Sequence, residues 1–267
     1  MLDVIDKGPR RESRRAPVLF VHGAWHGAWC WDEHFLDFFA EKGYRSLALD
    51  LRGHGNSPAP KAMPLCSIAD FVADVDSVAK SLPRPPVVVG HSTGGFVVQK
   101  YLESHDAPAA VLLASVPPSG IWGSFLRRFS RRPWHTVRNL AQANSLPAVA
   151  GTPELARETF FSESTPDADV VRYAARLEEE ASGKFVLDML GLDLPRPNLV
   201  TAPLLVLGAE DDFSFTPREV RATARAYHTE AEIFPSMGHN MMLEPGWADV
   251  AARIHAWLEG CESVQAG

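Results

Sequence analysis

The sequence predicts an α/β fold: a mostly parallel sheet of about six strands, flanked by helices and interrupted late by an inserted helical stretch. Three observations carry that prediction. Short apolar runs alternate with longer amphipathic segments, the rhythm of repeated βαβ units. The run Val87-Val88-Val89 is apolar throughout, as a strand is when helices cover both faces of its sheet. From about Val116 to Leu199 the rhythm stops. There Pro133, Pro147, Pro153, Pro166, Pro195 and Pro197 punctuate a helical stretch with no clear strand.

Each element has its own signal. Pro17 to Val21 reads as the first strong strand, closed by Gly23. Trp29 to Lys42 reads as a helix, with Trp31, Phe35, Phe38 and Phe39 near one face and Gly43 beyond its end. Ser46 to Leu49 is a second strand, leaving through the turn Arg52 to Pro58. Ser67 can cap a helix in which Ile68, Phe71, Val75 and Val78 keep helical spacing. The strand at Val87 runs into a helix that ends near Glu103, and Ala110 to Ala114 follows as a strand. After the helical stretch come strands at Pro203 to Leu207 and Glu232 to Phe234, then a last helix from Trp247 to Leu258. No repeat or linker divides the chain, so residues 1–115 and 200–267 are expected to form one core and residues 116–199 a cap inserted in it.

Composition excludes several classes of function. At 46% hydrophobic and 22% charged, the 267 residues suffice for a full core. A net charge of -7 opposes a nucleic acid partner, since phosphate binding needs concentrated positive charge. Cys30, Cys66 and Cys261 are scattered and imply neither a disulfide framework nor a metal site. Residues Met1 to Arg15 are charged and lack the apolar stretch of a signal peptide. No apolar run approaches the roughly 18 residues of a membrane span. The expectation is a cytoplasmic protein without metal, cofactor or membrane insertion.

The chemistry concentrates at Gly90-His91-Ser92-Thr93-Gly94, which follows an apolar strand and precedes a helix. In that context Gly-x-Ser-x-Gly is a nucleophile elbow: a sharp, strained turn lifts the serine hydroxyl above the sheet edge. His91 then points away from the site and packs. A serine nucleophile needs a base and an acid that orients it, in the chain order Ser, Asp or Glu, His. His239, in Ser236-Met237-Gly238-His239-Asn240, lies just past a late strand and is the candidate base. His34, His105, His135, His228 and His255 sit in no such context and read as packing or surface residues. The acid is expected after the strand at Leu204 to Leu207, where Glu210, Asp211 and Asp212 stand in a row; spacing alone does not choose among them. Asp50 is a remote competitor, and no acid directly follows the strand ending at Ala114. Two backbone amides must hold the developing oxyanion. Thr93 supplies one, and Ala24, in the small-residue loop His22-Gly23-Ala24-Trp25, supplies the other.

The run Val21 to Trp29, the turn Asp50 to Gly55, the elbow and Gly238-His239 together resemble the α/β-hydrolase superfamily over nearly the whole chain apart from the cap. The run Val21 to Trp29 and His239 to Pro245 particularly resemble the branch of plant methyl esterases and hydroxynitrile lyases. The resemblance implies that the acid closes a Gly-x-x-x-Asp-like turn before a proline, which favours Asp212 over Asp211. Hydroxynitrile lyases of that branch carry lysine where Asn240 stands and threonine where Gly23 stands, so ester hydrolysis is favoured over cyanohydrin cleavage. Ser92 in the elbow excludes the aspartate-nucleophile epoxide hydrolases and dehalogenases. The short N-terminus leaves no room for the antiparallel hairpin of larger members, hence about six strands.

The expected activity is cleavage of a small carboxylic ester with an apolar part, through an acyl-enzyme. A lyase, C–C hydrolase or perhydrolase-like enzyme with the same triad, and a non-catalytic ligand receptor, are the alternatives. In the cap, Ile121, Trp122, Phe125, Leu126 and Phe129 are expected to pack over the pocket while Arg127, Arg128, Arg131 and Arg132 face water. A lid helix drawn to anionic lipid is the lesser reading of the same stretch. Glu178-Glu179-Glu180 reads as a solvated helix face.

Overall fold

The computed structural model describes residues 1–9, 15–59, 63–131, 150–180 and 183–265. Its strands are β1 (Val4–Lys7), β2 (Val18–Val21), β3 (Ser46–Leu49), β4 (Val87–His91), β5 (Ala110–Leu113), β6 (Leu204–Ala209) and β7 (Ala231–Phe234). They form one sheet in the order β1-β3-β2-β4-β5-β6-β7. All neighbours pair in parallel except β1, which runs antiparallel to β3 from Val4 opposite Leu49 to Lys7 opposite Ser46. The sheet has seven strands, where about six were expected. The extra strand, at the sheet edge, is half-buried: Val4 and Ile5 pack partly on the two clusters, but Asp6 and Lys7 are charged, so it carries no unbroken apolar run. Across that edge Arg45 Nη2 meets Asp6 Oδ2 at 2.9 Å.

The interior strands are buried on both sides. Val18 and Phe20 of β2 enter one apolar cluster, and Leu19 and Val21 enter the other. The first face is covered by α1 (Trp29–Asp32), α2 (Phe35–Glu41) and the long C-terminal helix Trp247–Glu259; the second by α3 (Ile68–Lys80), α4 (Thr93–Tyr101) and the helix Pro217–Ala226. Ser67 and Asp70 close a capping box at the start of α3. The single helix expected from Trp29 to Lys42 is broken at His34, whose backbone leaves the helical region at φ -145°. There the His34 ring stacks on Trp247, with centroids 4.5 Å apart. The aromatic face survives the break, with Trp31, Phe35 and Phe39 all packed on Phe20.

Between β5 and β6 lie α5 (Trp122–Arg131), α6 (Pro153–Phe160), α7 (Asp167–Ala174) and the short α8 (Lys184–Leu187). The remaining helices are then α9 (Pro217–Ala226), α10 (Trp247–Glu259) and α11 (Glu262–Gln265). Among the described residues no helix is long and apolar enough to cross a membrane. Parallel pairing sends the C-terminal ends of β2, β4, β6 and β7 to one edge, where open α/β sheets build their sites.

Candidate active site

Ser92 follows β4 directly and caps α4, with φ 54° and ψ -121°. Left-handed backbone is rare for a residue with a Cβ and marks a strained position held by its surroundings. Here the Ser92 amide donates to Leu113 O at 3.1 Å, and Ser92 O accepts from Gly95 and Val116 at 3.0 and 3.1 Å. Close packing explains the glycine at 94: a Cβ there would lie 2.4 Å from both Val21 O and His22 O. The start of α4 can therefore press against the end of β2. A Cβ at Gly23 would lie 2.8 Å from Ser92 Cβ, so the loop after β2 abuts the serine.

The three carboxylates after β6 separate cleanly. Asp212 is buried and its Oδ2 lies 2.8 Å from His239 Nδ1. Its Oδ1 accepts the amides of Ser214 and Phe215 at 2.6 and 3.0 Å, which fixes the carboxylate plane. Asp211 and Glu210 are exposed, and Asp211 meets the histidine loop through its amide, which donates to Met237 O. Asp50 is occupied elsewhere: its carboxylate accepts the Ala28 amide at 2.6 Å and the Asn56 amide at 3.2 Å. Burial raises its pKa.

The structure thus brings Asp212 and His239 together, and the elbow reaches the histidine loop through the residue before Ser92. His91, the residue before the serine, donates from Nε2 to His239 O at 3.0 Å. Among the described residues no hydrogen bond joins Ser92 Oγ to His239 Nε2, and Nε2 has no other partner. Neither the Ala24 nor the Thr93 amide donates to a backbone carbonyl among the described residues, and Thr93 opens α4, where amides lack helical acceptors.

Three residues of the site were not assigned roles from the sequence. His22 donates from Nδ1 to Gly23 O at 2.8 Å and accepts the Leu51 amide on Nε2 at 3.1 Å. His26 donates from Nδ1 to Ala24 O at 2.8 Å, and Asn240 Nδ2 donates to its Nε2 at 3.0 Å. These bonds orient the peptides on both sides of Ala24. Burial keeps both rings neutral, lowering His22 well below the ordinary histidine pKa and His26 to about 4. The available signal was two histidines four apart in a loop of Gly, Ala and Trp, where solvated side chains have little place.

Two expectations are reversed. On α5 it is Trp122, Leu126 and Phe129 that face water, at 52%, 58% and 42% exposure. Its arginines pack on the acid loop instead: Arg127 donates to Phe213 O and Ser214 O and pairs with Glu219, while Arg128 reaches Ser214 Oγ at 3.2 Å. Arg131 lies over the Phe213 ring at 4.4 Å. The acid loop presents carbonyls that need donors, and guanidinium groups supply them. Arg132 and His135 lie outside the described residues. The Glu178-Glu179-Glu180 run is not a solvated helix face either. It lies beyond α7 without regular structure, and Glu180 is buried against His54, with His54 Nε2 and Glu180 Oε2 2.9 Å apart.

Cys30, Cys66 and Cys261 are free thiols. Among the described residues no group of three or more His, Cys, Asp or Glu side chains is arranged to hold a metal ion.

The sequence profile described as "Alpha/beta hydrolase family" matches residues 18–253, which takes in β2, the elbow, the acid loop and His239. The chain belongs to the alpha/beta hydrolase family. Among relatives of this chain, a non-heme chloroperoxidase from Streptomyces lividans is 40% identical over 117 residues, 42% of this chain. The match spans only 40% of that relative's length. Methylesterase 3 from Arabidopsis thaliana is 25% identical over 178 residues, 62% of this chain and 67% of that protein. The resemblance to plant methyl esterases is therefore found again at the level of whole segments. A solved thermophilic esterase from Thermogutta terrifontis superposes with a TM-score of 0.74 over 97% of this chain and 93% of its own, at 20% identity, a likeness of fold.

Proposed function

We propose that this hydrolase cleaves carboxylic esters through an acyl-enzyme on Ser92. The observation that carries the reading is the buried His239 Nδ1 to Asp212 Oδ2 contact at 2.8 Å, together with a serine in left-handed backbone whose neighbour His91 bonds the His239 carbonyl. Ser92 Oγ attacks the acyl carbon as His239 Nε2 takes its proton. Asp212 holds the imidazole by Nδ1 and stabilises its cation. The amides of Ala24 and Thr93 receive the oxyanion, and the positive end of α4 favours the same charge. His239 then returns the proton to the leaving alcohol, activates water, and the acid is released. Side chains and amides supply every group this sequence needs, so no cofactor is invoked. The described residues between 116 and 199 form a cap over this site, and the substrate is a small ester with an apolar part.

A second reading keeps the same acyl-enzyme and lets peroxide replace water as the acceptor. Its support is the relative named non-heme chloroperoxidase. Initial rates with p-nitrophenyl esters of graded acyl length, with and without peroxide, test both. The hydrolase reading expects turnover in water that falls at least ~1,000-fold in Ser92→Ala. Turnover unchanged in Ser92→Ala refutes both readings, and acyl transfer only in the presence of peroxide favours the second.

A further inference from the structure

The oxyanion loop is held from a direction the reaction does not require. Residues 177–180, beyond α7, cross from the inserted segment onto the core. Glu178 donates its amide to Trp25 O at 2.8 Å and accepts the Gly55 amide on Oε2 at 2.7 Å. Glu180 Oε2 accepts the Trp25 amide at 3.3 Å and lies 2.9 Å from His54 Nε2. Trp25 itself is left-handed, at φ 62°, a conformation that a bulky residue keeps only when its surroundings fix it.

Its place in the loop gives these contacts meaning. The peptide joining Ala24 to Trp25 has its carbonyl held by His26 and its N–H held by Glu180, at opposite ends of one plane. The preceding peptide, which carries the Ala24 N–H, is held by His22 at the Gly23 carbonyl. Rotation of either plane would misdirect the Ala24 amide. Glu180 and His54 are 3% and 2% exposed, so the carboxylate that reaches Trp25 is fixed by a buried partner. Burial alone lowers the His54 pKa, but Glu180 and Glu178 outweigh it and hold His54 at about 9. His54 is then protonated at neutral pH, with its Nε2 turned to the Glu180 carboxyl group.

We propose that Glu180, anchored by His54, is a positioning residue for the oxyanion hole: it fixes the Ala24–Trp25 peptide so that the Ala24 amide faces the reacting carbonyl. This rests on the serine-hydrolase reading. It makes an inserted segment, remote in sequence from the elbow, part of the machinery that aims the oxyanion donor.

Two conservative variants separate aiming from simple fastening. Glu180→Asp keeps a carboxylate but shortens its reach, withdrawing the one oxygen that meets both Trp25 and His54. Glu180→Gln keeps the reach and an acceptor oxygen but loses the charge. Both are assayed for kcat and KM on p-nitrophenyl acetate, for inhibition by an alkyl boronic acid, whose tetrahedral adduct fills the oxyanion hole, and for thermal melting. Positioning predicts that Glu180→Asp loses about 10-fold or more in kcat and in boronate affinity together, with KM changed less than about 3-fold. It predicts Glu180→Gln within about 3-fold of wild type in both. If Glu180→Asp keeps wild-type kcat and boronate affinity, or Glu180→Gln is the more impaired of the two, the proposal is overturned. Ser92→Ala is run alongside. Hydrolysis that does not depend on Ser92 sinks the hydrolase reading itself, whereas Ser92-dependent hydrolysis indifferent to Glu180 sinks only this inference.

Discussion

Asp211 and Asp212 are adjacent in sequence and opposite in environment. One is exposed and turned to the loop surface; the other is buried, accepts two amides and faces an imidazole. Asp212→Asn should keep the loop but disturb the tautomer of His239, lowering kcat by about four orders of magnitude. Asp211→Asn should leave kcat within about 3-fold. Steady-state kinetics on one ester decide, and equal losses in the two variants would remove Asp212 from its role. At this scale Ser92 and His239 were legible as candidates because each sits in a motif whose neighbours are dictated by backbone geometry. Asp212 was legible only through family resemblance, since three acids in a row carry no spacing that tells them apart. His22, His26 and Asn240 were quoted in motifs but left without roles. His22 and His26 donate to backbone carbonyls of the oxyanion loop, and Asn240 meets His26 across 214 positions of sequence, which no local pattern encodes.

Among the elements, the parallel strands were readable because burial on both faces leaves an unbroken apolar run. The edge strand β1 was not, because only Val4 and Ile5 of its four half-buried residues are apolar. On α5 the amphipathic pattern was read correctly and its orientation was not. Hydrophobicity says that a helix has two faces; which one turns inward depended on carbonyls of the acid loop that only tertiary structure brings near. The loop after β2 offers a sharper test. Gly23→Ala would drive a Cβ to 2.8 Å from Ser92 Cβ, so either the serine or the oxyanion loop must shift. A displacement of about 1 Å at reacting atoms costs on the order of 100-fold in rate. The variant should therefore lose about 100-fold in kcat/KM. A wild-type rate would show that the two segments are not so close in solution. The capping box at α9 gives a milder result: Thr216 and Glu219 satisfy each other's amides, and Thr216→Ala should lower stability by about 1 kcal/mol in urea unfolding.

For the molecule as a whole, the buried histidines set opposing limits on stability. His22, His26 and His91 are held neutral by burial, with pKa values depressed below 6.5. Their contribution is complete above pH 6.5 and is lost as pH falls, because the unfolded chain takes up protons that the folded one refuses. For His26, with a folded pKa of about 4, the loss reaches about 3 kcal/mol once pH falls below that value. His54 works the other way. Its pKa is raised to about 9, so its contribution is complete below pH 6.5 and disappears as pH rises through about 9, a change of about 3 kcal/mol. Urea unfolding from pH 4 to pH 10 should give a stability that declines on both sides of neutrality. In His54→Asn the alkaline decline should flatten. An alkaline limb of unchanged slope in that variant would count against a charged His54–Glu180 pair.

The central claim is that Ser92 carries the acyl group, and trapping that intermediate tests it most directly. Wild-type protein is mixed with p-nitrophenyl acetate, quenched in acid during the first turnovers, digested and mapped by mass spectrometry. The account predicts one acetyl ester, on the peptide that bears Ser92, and none on that peptide in Ser92→Ala. An acetyl group fixed on another residue, with nitrophenol still released by Ser92→Ala at the wild-type rate, would contradict it.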